Sequence, residues 1–182
     1  MIAIMSGSLE TLFAGSRSVD LHAGAVLFRS TAPVSEMFMV AEGQIHLCRH
    51  TMHGSEMVLQ RAMPGMVVAE ASAYSETYHC DAIAATDSVL LALPRSVFLS
   101  ALAANPDLAA NWAATLARGV QAARFRSEIR SLPRVADRLD AWIAEGNQLP
   151  EKGHWQDVAN ELGISREALY RELARRRKAP SA

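Results

Sequence analysis

The sequence predicts an α+β chain: an N-terminal β-roll, then a long helix, then a C-terminal helix-turn-helix. Three observations carry that prediction. Short apolar runs recur between Gly- and Pro-containing turns up to about residue 100. An Ala-rich stretch of helical periodicity then runs unbroken from Pro106 to Ser131. Last, residues 155–177 read as two helices hinged at Leu162, Gly163 and Ile164.

The strand candidates are residues 26–28, 37–40, 44–50, 56–61, 67–68, 81–85 and 88–93. Turns are expected at Gly24, at Glu42 with Gly43, at His53 with Gly54 and at Pro64 with Gly65. Helices are expected over 95–103 and 106–131. Pro133 interrupts, a further helix covers 134–145, and 147–153 is a loop into the final motif. The domains are therefore drawn as 1–104 for the β-roll, 105–131 for the long helix and 132–182 for the C-terminal module.

The C-terminal motif has a physical logic. Ala159 is small where two helices cross closely, and Gly163 supplies the positive φ of a sharp turn. Val158, Leu162, Ile164, Leu169 and Leu173 fall at helical spacing and form the buried seam. Ser165 is a good N-cap for the second helix. Arg166, Glu167, Tyr170 and Arg171 are left on the outer face near that helix's N-terminus, the end that enters a major groove. Arginine pairs bidentately with guanine, and glutamate accepts from the cytosine amino group. The blander reading is an amphipathic hairpin with a solvated charged face.

Charge supports a polyanionic partner. Residues 1–100 hold five Lys/Arg against nine Asp/Glu, and residues 101–182 hold thirteen against ten, so the net −1 conceals a polar split. Arg175, Arg176, Arg177 and Lys178 form a basic run suited to phosphates. At 182 residues and 50% hydrophobic content the chain can bury one or two cores. Two cysteines, no signal-peptide pattern and no apolar run of membrane length indicate a cytoplasmic protein with no membrane association.

On the long helix, Leu108, Trp112, Thr115, Leu116, Gly119, Ala122, Ala123 and Ile129 make a broad stripe. It suits packing on the roll, on a second copy of the chain, or on both. A parallel helix pair in a homodimer is favoured, because one helix-turn-helix gains affinity by pairing on a two-fold operator.

Soft ligands concentrate early: all eight Met, both Cys and five of six His precede residue 81. His46, Cys48 and His50 alternate along one strand and so share a face, while Ile45 and Leu47 face the core. With His79 and Cys80 they form a donor set for copper or zinc, and a His or Cys could ligate haem. The two cysteines alternatively form a redox pair. Against these readings, alternation puts His46, Cys48 and His50 on the outer surface, and Met37, Met39, Met57, Met63 and Met66 read as gap-filling core.

The order β-roll, long helix, helix-turn-helix resembles the cyclic-AMP receptor/fumarate–nitrate regulator (CRP/FNR) family of bacterial transcription factors. The matching residues include Glu42 and Gly43, Gly54 and Glu56, Pro64 and Gly65, Ala69 and Glu70, Arg138 and Leu139, and Gly163, Ser165, Arg166 and Glu167 with Arg171. They span about residues 18–177, nearly the whole chain. The resemblance implies a cyclic-nucleotide-binding-like jelly roll and a homodimer on double-stranded DNA, with RNA polymerase as a further partner. It implies that Arg166, Glu167 and Arg171 read bases of TGTGA-like half-sites; the motif's own spacing adds Ser165 and Tyr170, and the basic run adds Arg175, to the expected DNA-binding set.

The sequence departs from the family in four places. The family holds a cyclic phosphate with an Arg-Ser pair, where this chain has Cys80 and Asp81; a thiol and a carboxylate do not replace a guanidinium, which argues against cyclic AMP. The cysteine cluster of an iron–sulfur centre is absent. The wing after the recognition helix is expected to be shortened or missing. Glu172 occupies a normally apolar position. The effector is therefore left open, with metal, haem and thiol redox among the signals, at a pocket of Glu70, His79, Cys80 and Asp81. No Ser/His/Asp elbow, phosphate loop or catalytic carboxylate pair is visible, so the chain is not read as an enzyme. The alternatives are a cupin-like metal enzyme using His46, Cys48 and His50, and a partner-binding protein with a degenerate helix-turn-helix.

Overall fold

A computed structural model describes residues 9–50, 56–150 and 155–178. The chain divides into two compact units, Met1–Leu116 and Ala117–Ala182. The division falls inside the long helix, whereas the sequence predicts boundaries at both of its ends.

The first unit is built from two four-stranded antiparallel sheets. One holds, in spatial order, β1 (Arg17–Leu21), β8 (Ser88–Pro94), β3 (Glu36–Glu42) and β6 (Val67–Val68). The other holds β2 (Val26–Phe28), β7 (Asp81–Ala84), β4 (Ile45–His50) and β5 (Glu56–Ala62). Met37, Val40 and Leu90 from the first sheet and Ile45, Leu47 and Ala82 from the second share one apolar core. Phe28 stacks on Tyr78 within it, ring centroids 3.6 Å apart.

β3 is buried at Met37, Phe38, Met39 and Val40 in succession, because it is covered on both faces and so need not alternate. Helix α1 (Arg95–Ala104) packs on β3 and β8. It carries Phe98, which meets Phe13 at 6.1 Å and the edge of Trp112 at 4.9 Å. Helix α2 (Pro106–Ser131) sends Leu108 and Trp112 into this core.

The predicted strands all form, with ends shifted by a residue or two. Three elements went unpredicted: a helical stretch over 9–13, β1, and a 3-10 helix, η1 (Glu70–Tyr74). β1 (RSVDL) has too few apolar positions to announce itself, yet pairs along its whole length with β8. η1 begins at Ala69, whose φ of 52° is left-handed, so this alanine occupies a position that favours glycine. The predicted turn at His53 and Gly54 lies outside the described residues.

Two surface assignments are corrected. Met57, Met63 and Met66 are exposed rather than core-filling, since β5 is the edge of its sheet and the two later residues flank the turn into β6. Cys48, expected on the surface, is fully buried, and His46 is half-buried. β4 is an interior strand, and Cys48 stands between Val58 of β5 and Asp81 of β7 in register. The side chain of His50 lies outside the described residues.

The second unit holds the rest of α2 with α3 (Val135–Ala144), α4 (Trp155–Leu162) and α5 (Arg166–Lys178). Its core gathers Ile129, Leu139, Trp142, Val158, Ala159, Leu162, Leu169 and Leu173. Ile164 is only partly buried beside it.

One glycine tests the sheet geometry. Gly43 has φ +83°, and a Cβ there would lie 2.7 Å from the Ser88 Cα, with the Asp87 carbonyl and Ser88 Oγ nearer still. Gly43→Ala is expected to lower unfolding free energy by about 2 kcal/mol or more in chemical denaturation. An unchanged midpoint would contradict this close approach.

Candidate nucleic-acid interface

The C-terminal turn is held by backbone geometry and by two arginines. Gly163 has φ +64°, and its amide donates to the Asn160 carbonyl at 3.2 Å. A helix ending in a sharp turn leaves carbonyls without intrahelical partners. Here guanidinium groups satisfy them. Arg130 Nη2 donates to the Asn160 carbonyl at 2.8 Å and its Nε to Glu161 at 3.3 Å. Arg138 Nη1 donates to the Leu162 and Gly163 carbonyls, each at 3.1 Å, and its Nε to Leu132 at 2.7 Å. Both cations also oppose the negative end of the α4 dipole.

The second helix starts as its sequence requires. The Ala168 amide donates to Ser165 Oγ at 3.2 Å, the N-cap bond. Arg166, Glu167 and Arg171 are exposed. The Glu167 carboxyl is held below its ordinary range, first by its own backbone amide and next by the Ser165 hydroxyl, so it stays ionised. Arg166 Nη2 donates to the Tyr170 hydroxyl at 3.3 Å, and its Cζ lies 5.2 Å from the Tyr170 ring centroid. Tyr170 packs in turn on Trp155, centroids 4.8 Å apart. Ser165, Arg166, Glu167, Tyr170 and Arg171 thus line the first turns of α5.

The basic run is less open than its sequence suggests. Glu172 is buried and accepts from Arg175 Nη2 at 2.7 Å and from Arg176 Nε at 2.7 Å. Arg176 continues to Asp140 at 2.7 Å and to the Ala136 carbonyl at 3.0 Å, tying α5 to α3. The unusual Glu172 is therefore an internal anchor, and Arg176 is spent on packing. Arg175 remains exposed while its guanidinium forks onto Glu172. The Arg175 hydrogen bond, followed by that of Arg176, holds the Glu172 carboxyl down to about 2.

In the β-roll the proposed effector residues separate. Cys80 lies in the shared core, whereas Asp81, one residue on, points to the other face of β7. There Asp81 accepts from Arg29 Nη1 at 3.0 Å and from the Ser30 amide at 2.7 Å, so its charge is neutralised structurally. Glu70 is held by Gln60 Nε2 at 3.2 Å, and the His79 ring shares a hydrogen bond with Ser75 Oγ at 3.2 Å. Arg49, overlooked in the sequence, donates from Nε to the His79 carbonyl at 3.0 Å. Burial pushes the Cys80 thiol up; the Arg49 cation lowers it, and the Asp81 and Glu70 carboxylates raise it further. Arg49 shares the parity of Leu47 on β4, a signal that could have placed it near this segment.

The soft ligands are likewise dispersed. Cys48 pairs in register with Asp81, so Cys48 and Cys80 occupy opposite faces, and both are buried free thiols. Among the described residues no three His, Cys, Asp or Glu side chains gather as a metal site. Tyr78, beside them, is core: its hydroxyl donates to the Glu36 carbonyl at 2.7 Å, and burial pushes its pKa up to about 12.

The architecture and the open face of α5 define a β-roll protein with a helix-turn-helix module. A cyclic nucleotide-binding domain profile matches residues 18–105. The cyclic AMP receptor protein of Thermus thermophilus is 31% identical over 142 residues, 75% of this chain and 66% of that protein's length. The solved catabolite activator protein of Thermus thermophilus is similar at 26% identity and TM-score 0.55, covering 92% of this chain and 81% of that one. FixK2 from Bradyrhizobium japonicum shares the fold at TM-score 0.72 and 16% identity, over 92% of this chain and 89% of that one. The chain thus carries a cyclic nucleotide-binding domain, is similar to CRP/FNR-type transcriptional regulators, and spans 66% of the length of its curated relative.

The Glu172 network gives a pH signature. Its folded pKa of about 2 lies below the ordinary 4.5, so the stabilisation is fully present above pH 4.5 and lost as pH falls toward 2. Glu172→Gln should flatten that part of the stability–pH curve in acid titrations followed by circular dichroism. An identical acid limb in both proteins would contradict the network.

Proposed function

We propose that the chain is a sequence-specific DNA-binding transcription regulator acting as a homodimer, controlled by a signal other than cyclic AMP. The observation that carries this reading is the open Arg166, Glu167 and Arg171 set on the first turns of a helix whose entry is fixed by Gly163 and capped by Ser165. Side chains there meet base edges when the helix N-terminus enters a major groove. The retained trio favours TGTGA-like half-sites. In this reading the protein works in the cytoplasm, on double-stranded DNA and with RNA polymerase.

The long helix supports the dimer, with a seam that keeps Leu116 and Ala123 of the expected stripe. Leu108, Trp112 and Ile129 are used inside their own cores. Ala113, Val120 and Ala123 are exposed and Leu116, half-buried against its own core, falls between them, at alternating spacings of three and four, which is the pattern of a helix-pair seam. Val120 is 49% exposed there.

A small organic effector fits the β-roll better than a metal, haem or thiol switch. Cys80 is a buried thiol pushed up in pKa, its would-be partner Cys48 faces away, and the nearby cation is Arg49. A ligand bound there acts by favouring one of two conformations of the dimer, which requires different affinity for each.

Arg166→Ala should lower affinity for a palindromic duplex with TGTGA half-sites by about tenfold or more and erase preference at one base pair. Fluorescence anisotropy with single-base-substituted duplexes reads this; unchanged preference would sink the assignment. Val120→Glu should shift the chain from dimer to monomer in sedimentation equilibrium, and DNA affinity should fall with it. A variant that stays dimeric would move the seam elsewhere.

A further inference from the structure

We propose that Tyr170 is a positioning residue that presets the Arg166 guanidinium for one base of the half-site, through a Trp155–Tyr170–Arg166 stack. The inference rests on the base-reading role assigned to Arg166 above. Arg166 and Tyr170 are one helical turn apart, so they share a face of α5. Two separate contacts join them, the 3.3 Å hydrogen bond to the hydroxyl and the placement of Cζ 5.2 Å from the ring centroid.

The platform beneath is itself fixed. The Trp155 ring lies 4.8 Å from Tyr170 at 55°, and its indole Nε1 donates to the Pro150 carbonyl at 2.9 Å. Leu169, the neighbour of Tyr170, is fully buried in the module's core. The aromatic pair is thus anchored from below while Arg166 stays in solvent above it.

The energetic logic is entropic. An exposed arginine carries several rotatable bonds, and ordering it on DNA opposes binding. A guanidinium already resting on a ring loses less. The hydrogen bond to Tyr170 uses one of five N–H groups, which leaves others for the two acceptors on a guanine edge. Glu167 and Arg171 have no such platform, so the effect should fall on a single base position. Tyr170 lies on the face expected to meet DNA, and the stack gives it a role there that acts through Arg166.

The test is a double-mutant cycle on the full chain, with the TGTGA palindrome and duplexes carrying adenine in place of each guanine in turn. Tyr170→Phe keeps the ring and should retain discrimination. Tyr170→Leu keeps apolar volume without the ring; it should lose about threefold in guanine-over-adenine discrimination at one position, with the salt dependence unchanged. In the Arg166→Ala background, Tyr170→Leu should change nothing further, and the cycle cancels any general effect of the substitution on folding. If Arg166→Ala alters discrimination and Tyr170→Leu does not, the positioning role is overturned and the base reading stands. If Arg166→Ala leaves discrimination unchanged, the base reading fails and the positioning role fails with it.

Discussion

The convergence of Arg130 and Arg138 on the carbonyl end of α4 is the interaction on which the C-terminal module depends. A helix closed by a glycine turn after eight residues leaves its last carbonyls facing outward. Arg130 takes those of Asn160 and Glu161, and Arg138 those of Leu162 and Gly163. Arg130 comes from the end of α2 and Arg138 from α3, so the turn is tied to both preceding helices at once. Its aliphatic stem also closes over Gly163, where a Cβ would come within 2.9 Å. The entry angle of α5 follows from these bonds.

At the other end of α5, Glu172 performs a related task from inside the helix. Its buried carboxylate gathers Arg175 and Arg176, and Arg176 reaches across to α3. A buried carboxylate is tolerated only when so paired. The arginines of one short helix therefore divide by role. Those of the first turns, Arg166 and Arg171, remain open to a ligand, and those of the last turns are largely committed to the fold. Counting basic residues alone would have overstated the phosphate-binding surface.

Much of this was legible in the sequence, where local rules and tertiary demands agree. Gly163, Ser165 and the apolar seam announced the turn because each has one efficient use at its position. The strands of the roll were visible through their turns. What escaped detection depends on partners distant in sequence. β1 forms because β8 offers it a ladder, and Cys48 is buried beside Val58 and Asp81, its cross-strand neighbours. The caps by Arg130 and Arg138 link residues about 25 to 30 positions apart, with no spacing rule to reveal them. Sequence proximity of the cysteines and histidines likewise says nothing of which sheet face each one takes, and Cys48 and Cys80 lie on opposite faces.

The central claim is that a clamped helix presents a base-reading face. The most direct measurement is the affinity of the full chain for a TGTGA-type palindrome and for a scrambled duplex of equal length, across a series of salt concentrations. The account predicts that both affinities fall as salt rises, and that the palindrome is favoured by about a thousandfold at physiological salt. Equal affinity for the two duplexes at every salt concentration would contradict it.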